Sequence, residues 1–196
     1  MQRGDLTELH YLTPIDNVPS IVHRGILSNR AARKIEHRSV ADAEVQNRRR
    51  GVNVPGGKPL HDYANLYISA RNPMLYKRLG QKANLCVLRV SPEVLELEGV
   101  VVSDQNSSST HARFAPGAEG LGIVDATLTF AHDWTHPDPI EYWRRKAAKC
   151  AEVLVPNRIP PQYLLGARVC SEHVAHAFND LECGLEVTVD TKMFFM

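Results

Sequence analysis

One stretch limits most strongly how this 196-residue chain can fold: Lys146-Ala147-Ala148-Lys149-Cys150-Ala151-Glu152-Val153-Leu154-Val155-Pro156. Its first half is basic and alanine-rich, built from residues that favour helix. Its second half is a β-branched and leucine run that favours strand. Pro156 closes that run, because proline cannot donate to a sheet ladder. A helix must end and a strand begin near Ala151, which puts Glu152 at the mouth of the strand. A carboxylate on a rigid element, with cations just upstream, is well placed for catalysis. A surface glutamate in a helix-to-strand turn has the same local signature, so the rest of the chain must separate the two.

The chain begins with a short strand at Leu9-His10-Tyr11-Leu12. Pro14 then stands near the start of a helix whose apolar positions Ile15, Val18, Ile21 and Val22 recur at helical spacing. Gly25 stops that helix, and Ile26-Leu27 follow as an apolar pair. Residues 28–60 differ in character and form a basic, loop-rich insertion. Between Arg24 and Arg50 there are eight basic residues against three acidic ones. Part of this segment, about 39–50, has helix-forming composition; Gly51, Pro55, Gly56, Gly57 and Pro59 make the remainder loop. An insertion of this length inside a compact domain is usually functional or disordered. It suits an anion-binding lid or a phosphate-tracking groove, and equally a solvated basic face.

Tyr63 to Ser69 is predicted as strand, Met74 to Leu79 as a short helix after Asn72-Pro73, and Leu85 to Val90 as strand. A helical turn at Ser91-Pro92 and a strand at Val100 to Val102 follow. Residues 103–122, rich in Ser, Gly and Ala, are expected to be irregular. Ile140 to Lys149 is predicted as the helix that leads into the Glu152 strand. Strand, helix and strand follow at Leu164 to Val169, Ser171 to Leu181 and Leu185 to Val189. Many short strands without regular βαβ alternation give an α+β class and one domain over 1–196.

Composition narrows the chemistry. The formal net charge of +1 predicts no partner for the molecule as a whole, so nucleic-acid affinity would need local clustering. Cys86, Cys150, Cys170 and Cys183 are scattered with no C-x-x-C, which suggests neither zinc nor a disulfide framework and fits a reducing cytoplasm. The N-terminus lacks the apolar core of a signal peptide, and no apolar run approaches membrane length. There is no P-loop, no G-x-G-x-x-G, no G-x-S-x-G and no H-E-x-x-H. His173 and His176 lack an obvious third ligand, so no metal is expected. Ser107-Ser108-Ser109 with His111 could be a hydroxyl–imidazole pair, but no acid is placed to orient it and a turn-rich loop explains it as well. Four pieces remain: His10 with Thr13 at the exit of the first strand, Arg48-Arg49-Arg50, Tyr67-Ile68-Ser69 followed by Tyr76, and Glu152.

The order of these pieces resembles the ADP-ribosyltransferase fold, and within it the DarT-type DNA ADP-ribosyltransferases, toxins of DarT–DarG pairs. The phrases that carry the resemblance are Leu9-His10-Tyr11-Leu12-Thr13 with Ile15-Asp16-Asn17, Gly25-Ile26-Leu27, Val45-Gln46-Asn47-Arg48-Arg49 and Leu60-His61-Asp62-Tyr63. They continue with Tyr67-Ile68-Ser69, Pro73-Met74-Leu75-Tyr76 and the run ending at Glu152, and cover about residues 8–170. One departure is that Lys149-Cys150 precedes Ala151-Glu152, where the family reads closer to Lys-Ala-Glu. The resemblance implies central mixed or antiparallel β-sheets split around an NAD cleft, with flanking helices. It implies NAD as donor and thymine N3 of single-stranded DNA as acceptor, with Glu152 and Arg49 catalytic. His10, Thr13, Asn17, Gly25, Leu27, Arg48, Tyr67, Ser69 and Tyr76 would hold NAD. Arg50, Trp134, Tyr142, Trp143, Arg144, Arg145 and Lys146 would meet DNA, and a DarG-like macrodomain antitoxin would be the partner. An RNA- or protein-directed ADP-ribosyltransferase, an RNA 2′-phosphotransferase and a non-catalytic nucleotide-binding module stay open as alternatives.

Overall fold

The computed structural model describes residues 1–196. Strands β1 (Leu9–Pro14), β2 (Ile26–Leu27), β3 (Tyr63–Tyr67), β4 (Leu85–Val90) and β5 (Val101–Ser103) come from the first part of the chain. β6 (Phe114–Pro116), β7 (Glu152–Pro156), β8 (Arg158–Ile159), β9 (Leu164–Val169) and β10 (Val187–Val189) complete the set. The helices are α1 (Val18–Arg24), α2 (Asn29–Ala32), α3 (Ala43–Arg50), α4 (Pro73–Lys77), α5 (Ala126–Thr129), α6 (Pro139–Ala148) and α7 (Glu172–Asn179). Eight strands form one sheet in the order β10-β9-β4-β1-β3-β7-β5-β6, and β2 pairs with β8 in a separate ribbon. Only β9 and β10 run parallel; every other pair is antiparallel.

The central strands carry near-continuous apolar runs because both of their faces are covered. Leu9, Leu66, Leu88, Val102 and Val153 are fully buried in one shared core. β1 pairs with β4 along its whole length, but meets β3 at a single register pair, His10 against Tyr67. The sheet is therefore continuous in order yet opens between β1 and β3. That opening is the split expected around a cleft.

Several boundaries differ from the sequence reading for local reasons. Pro14 ends β1, and a 3-10 turn, Ile15–Asn17, precedes α1. The segment expected to be irregular contains β6, an edge strand paired only with β5. Its half-exposed residues give no periodic apolar signal. The basic insertion is more ordered than its composition suggests. It forms α2 and α3 joined by an extended strap, and Asp42 caps α3 by accepting from the Glu44 and Val45 amides at 3.0 and 3.3 Å. Gly25 ends α1 at φ +86°, and a Cβ there would lie 2.1 Å from the Ile159 carbonyl oxygen, so β8 can approach only a glycine. No helix is long and apolar enough to cross a membrane.

A buried charge cluster ties β1 to β4 and β9. Glu8 meets Arg89 at 2.6 Å, Arg168 at 2.7 Å and His10 at 3.1 Å. Arg168 also meets Asp190 at 2.7 Å, beside β10. Burial pushes the Glu8 carboxyl up, but the hydrogen bonds from His10 and Arg89 and the Arg168 charge outweigh it and hold its pKa at about 2. A depressed carboxylate pKa adds stability that is present above the ordinary value, 4.5, and is lost as pH falls through the folded value. Glu8→Gln should thus be less stable than wild type by about 3 kcal/mol near pH 7, with the gap closing as pH drops from 4.5 towards 2. Urea unfolding at stepped pH measures this; a gap independent of pH would refute it.

Candidate active site

Glu152 is the first residue of β7, and its backbone is locked on both sides: it pairs with Tyr67 of β3 and Ser103 of β5. The residue is 0 % exposed. A carboxylate buried that deeply must be paired and hydrogen-bonded. The partner is Arg49, itself 4 % exposed, whose Nη1 donates to Glu152 Oε2 at 3.1 Å and Oε1 at 3.5 Å. The same Nη1 donates to Ser107 Oγ at 2.8 Å, and Ser107 donates to Glu152 Oε2 through its hydroxyl at 2.5 Å and its backbone N–H at 3.3 Å. Three segments far apart in sequence thus meet at one carboxylate.

Helical periodicity explains why Arg49 is chosen from its cluster. Asp42, Val45, Gln46 and Arg49 stand at i, i+3, i+4 and i+7, and all line the cavity in front of Glu152. Arg48 and Arg50 are exposed and do not line the cavity. α3 has no apolar face of its own, so its placement depends on its cap and on this inward row.

The cavity measures about 290 Å³. It lies where β1 and β3 part: Tyr11 and Thr13 line one wall, Tyr63, Asn65 and Tyr67 the other. The strap at residues 37–42 closes a third side. Asn17 fastens the strap, donating to the Arg38 carbonyl at 2.7 Å and accepting from the Arg38 amide at 3.0 Å. At its far end Lys77 of α4 pairs with Asp42, and Arg78 donates to the Val40 carbonyl at 2.8 Å. Burial first, then the adjoining Glu152 charge, pushes the Tyr67 hydroxyl well above its ordinary range, so the ring enters the site as a neutral phenol. The same two causes push the Cys150 thiol up to about 12, which makes it a poor nucleophile.

Of the residues expected to hold NAD, the cavity lining includes Thr13, Asn17, Leu27 and Tyr67, with Arg49 and Glu152 beside them. The others stand elsewhere. His10 turns to Glu8, and its Nδ1 is buried without a partner. Gly25 packs under Ile159, and Arg48 points to solvent. Ser69 is buried, and its carbonyl accepts from Asn72 Nδ2 at 2.8 Å. On α4, Pro73, Met74 and Lys77 face the cavity. Tyr76 lies off that face and packs edge-on against Trp134 and Phe195 instead. Sequence reasoning missed Tyr11, Asn29, Gln46, Asn65 and Asn106, all of which line the cavity. The first is next to His10, and strand alternation could have flagged it.

The residues expected at DNA divide in a similar way. Trp134 is 7 % exposed and covered by Tyr76 and Phe195, so it offers no free face to a base. Trp143 is 63 % exposed, packs edge-on against Tyr142, and has Lys146 Nζ 4.7 Å from its ring centroid. Arg144 pairs with Glu141 at 3.3 Å and Asp125 at 3.8 Å, and Arg145 reaches Glu141 at 4.0 Å. Arg50 is exposed at the end of α3 and does not line the cavity. Lys149 is fully buried, and its Nζ donates to the Ala131 carbonyl at 2.6 Å. Burial and then the Arg71 charge bring its pKa down to about 8. No group of three or more His, Cys, Asp or Glu side chains is arranged to hold a metal ion.

A buried glutamate paired with an arginine at the floor of a cleft in a split, mostly antiparallel sheet is the layout of an ADP-ribosyltransferase. Comparison with known proteins narrows the class. The family model of the ssDNA thymidine ADP-ribosyltransferase DarT matches residues 10–195. A DNA ADP-ribosyl transferase–DNA ADP-ribosyl glycohydrolase fusion protein from Thermosipho africanus is 30% identical over 96% of this chain, which spans 50% of the fusion. The solved structure of that organism's DarTG with ADP-ribose superposes with a TM-score of 0.84 at 27% identity, covering 97% of this chain and 52% of the other. A DNA ADP-ribosyl transferase from Thermus sp. 2.9 is 30% identical over 86% of this chain and 83% of its own length. The structure of Thermus sp. 2.9 DarT with ADP-ribosylated ssDNA gives a TM-score of 0.81 at 25% identity, covering 98% and 99% of the two chains. The chain belongs to the DarT family of single-stranded-DNA thymidine ADP-ribosyltransferases.

Because Arg49 neutralises a buried carboxylate, Arg49→Ala should lower the unfolding free energy by about 3 kcal/mol in the absence of any ligand. Arg48→Ala, on the exposed face, should change it by less than about 0.5 kcal/mol. Urea denaturation of both variants tests the assignment; equal losses would contradict it.

Proposed function

We propose that this chain transfers ADP-ribose from NAD to thymine N3 in single-stranded DNA, releasing nicotinamide. The observation that carries the proposal is the buried Glu152–Arg49 pair at the floor of the cavity, in a chain of this family. NAD supplies the bond to be broken, between nicotinamide and its ribose, and breaking it builds oxocarbenium character on the ribose as in glycoside hydrolysis. Glu152 accepts a ribose hydroxyl and faces that developing positive charge, so it stabilises the transition state more than the ground state. As the N3–C1′ bond forms, the N3 proton passes to the Glu152 carboxylate. Arg49 holds Glu152 in place and favours the anion that develops on thymine.

The lining of the cavity suits the donor. Thr13, Asn17 and Leu27 stand at the β1 and β2 end, Tyr67 beside the carboxylate. The buried Asn29 Oδ1 lacks a partner and can accept from a ligand N–H. For the acceptor, we assign Trp143 with Lys146 and Tyr142 as a stacking platform, since an exposed ring with a cation over it binds unpaired bases regardless of sequence. Arg48 and Arg50 add positive charge along α3. A duplex hides thymine N3 in its base pair, so a single strand costs less to bind. The Thermosipho africanus relative joins transferase and glycohydrolase in one chain; by extension a DarG-like macrodomain that removes the modification is the partner of this enzyme, in the cytoplasm.

Labelled NAD with a thymine-containing oligonucleotide should transfer label, and the same oligonucleotide without thymine should not; equal labelling of both would refute the thymine assignment. Glu152→Gln should slow transfer by about 10³-fold, while NAD affinity measured by titration stays close to wild type. Trp143→Ala should raise the KM for the oligonucleotide about tenfold, the cost of one lost stack, with KM for NAD unchanged. Unaltered oligonucleotide KM would remove Trp143 from the acceptor site.

A further inference from the structure

The loop between β5 and β6 contains the serine run that neither the helix nor the strand pattern absorbed. It leaves the sheet at Ser103, the residue paired with Glu152, so it starts beside the carboxylate. Its base is closed by Asp104 and Arg113, which meet at 2.7 Å, with the Arg113 amide donating to Asp104 Oδ1 at 2.9 Å. Its tip is wound on Asn106, whose Oδ1 accepts from the Ser108 amide at 3.0 Å and the Ser108 hydroxyl at 2.7 Å. Asn106 itself lines the cavity. The winding drives Ser107 inward until it is fully buried.

At that position Ser107 has no donor left to offer a ligand. Its one hydroxyl proton goes to Glu152 Oε2 at 2.5 Å, its oxygen accepts from Arg49 at 2.8 Å, and its amide adds a second donor to Oε2 at 3.3 Å. Counting Arg49 at 3.1 Å, Oε2 accepts from three donors, whereas Oε1 has only the long Arg49 contact at 3.5 Å. A carboxylate oxygen with three donors is saturated. The two oxygens of Glu152 are therefore unequal before any substrate arrives.

We propose that Ser107 is a positioning residue for Glu152: it anchors Oε2 and leaves Oε1 free for the ribose hydroxyl and the N3 proton. The role rests on Glu152 acting on NAD as set out above. It explains why a serine-rich loop is wound so tightly next to the catalytic strand, and why Arg49 splits its donation between a carboxylate and a hydroxyl. Without the hydroxyl, Glu152 keeps its charge partner and one amide donor, so it stays buried and paired but is free to turn.

Ser107→Ala in the full chain tests this. The expected result is a kcat for transfer lower by about ten- to a hundredfold, the usual effect of displacing a catalytic group by up to an ångström. KM and titrated affinity for NAD should stay within about twofold, while the thermal midpoint falls by a few degrees with the loss of a buried charge-assisted hydrogen bond. Ser107→Cys, which retains a weak donor, should give an intermediate kcat. A Ser107→Ala enzyme with wild-type kcat, or one whose loss lies in NAD affinity rather than kcat, overturns the positioning role. Glu152→Gln run alongside separates the two claims. An inactive Glu152→Gln with a fully active Ser107→Ala refutes only the role of Ser107; a fully active Glu152→Gln refutes the function and this role with it.

Discussion

The burial of one carboxylate organises this molecule. Glu152 sits at 0 % exposure, where an unpaired charge would be prohibitively costly. That cost is met from two directions. α3 delivers Arg49 from the basic insertion, and the β5–β6 loop delivers Ser107. Both are polar segments with little apolar surface to dock by, so the carboxylate gives them their place. The constraint also runs the other way: because β7 is flanked by β3 and β5, the backbone of Glu152 cannot move to relieve strain among its partners.

The sheet makes room for the site by failing to close. β1 is fastened to β4 and β9 by the Glu8 cluster, which joins strands through charges on the side of β1 away from the cavity. β1 therefore follows β4 and diverges from β3 beyond His10 and Tyr67. The strap over the opening is held by hydrogen bonds from Asn17 and Arg78 and the Lys77–Asp42 pair, with few apolar contacts. A segment fastened this way can open locally at small cost, as a lid over a substrate must. His10 belongs to the strand-fastening cluster in this structure, which accounts for its absence from the cavity wall.

At the proposed acceptor end, α6 presents an exposed aromatic ring while the loop before it is pinned from below. Lys149 reaches the Ala131 carbonyl, Thr129 donates to the Ala148 carbonyl at 3.1 Å, and Arg71 donates to the His132 carbonyl at 2.9 Å. Trp134 contributes to the same scaffold from inside. Pinning the loop keeps the helix that carries Trp143 at a set distance from the Glu152 strand. A lysine as buried as Lys149 is uncommon, and one with its pKa near 8 indicates that packing outweighs solvation there.

Elements with their own local signal were legible in the chain. The Lys146–Pro156 stretch announced a helix, a break and a strand because alanine, β-branched residues and proline act within a few residues of each other. The candidate acid, the basic cluster and the resemblance to a family followed from residue types in order. Which arginine points inward was left open among Arg48, Arg49 and Arg50, because the faces of α3 are distinguished only once a target exists. Ser107 shows the limit. In sequence it is one serine of a turn-rich run; its meaning depends on a partner 45 residues away. The same holds for Trp134 and Trp143, alike in type and opposite in exposure, because burial is set by which neighbours fold over a ring. Local chemistry determined the pieces, and their order along the chain carried the resemblance to a family. Long-range packing decided which side chains face the cavity, because strand register and helix docking turn each residue to one face or the other and no short stretch of chain contains that information.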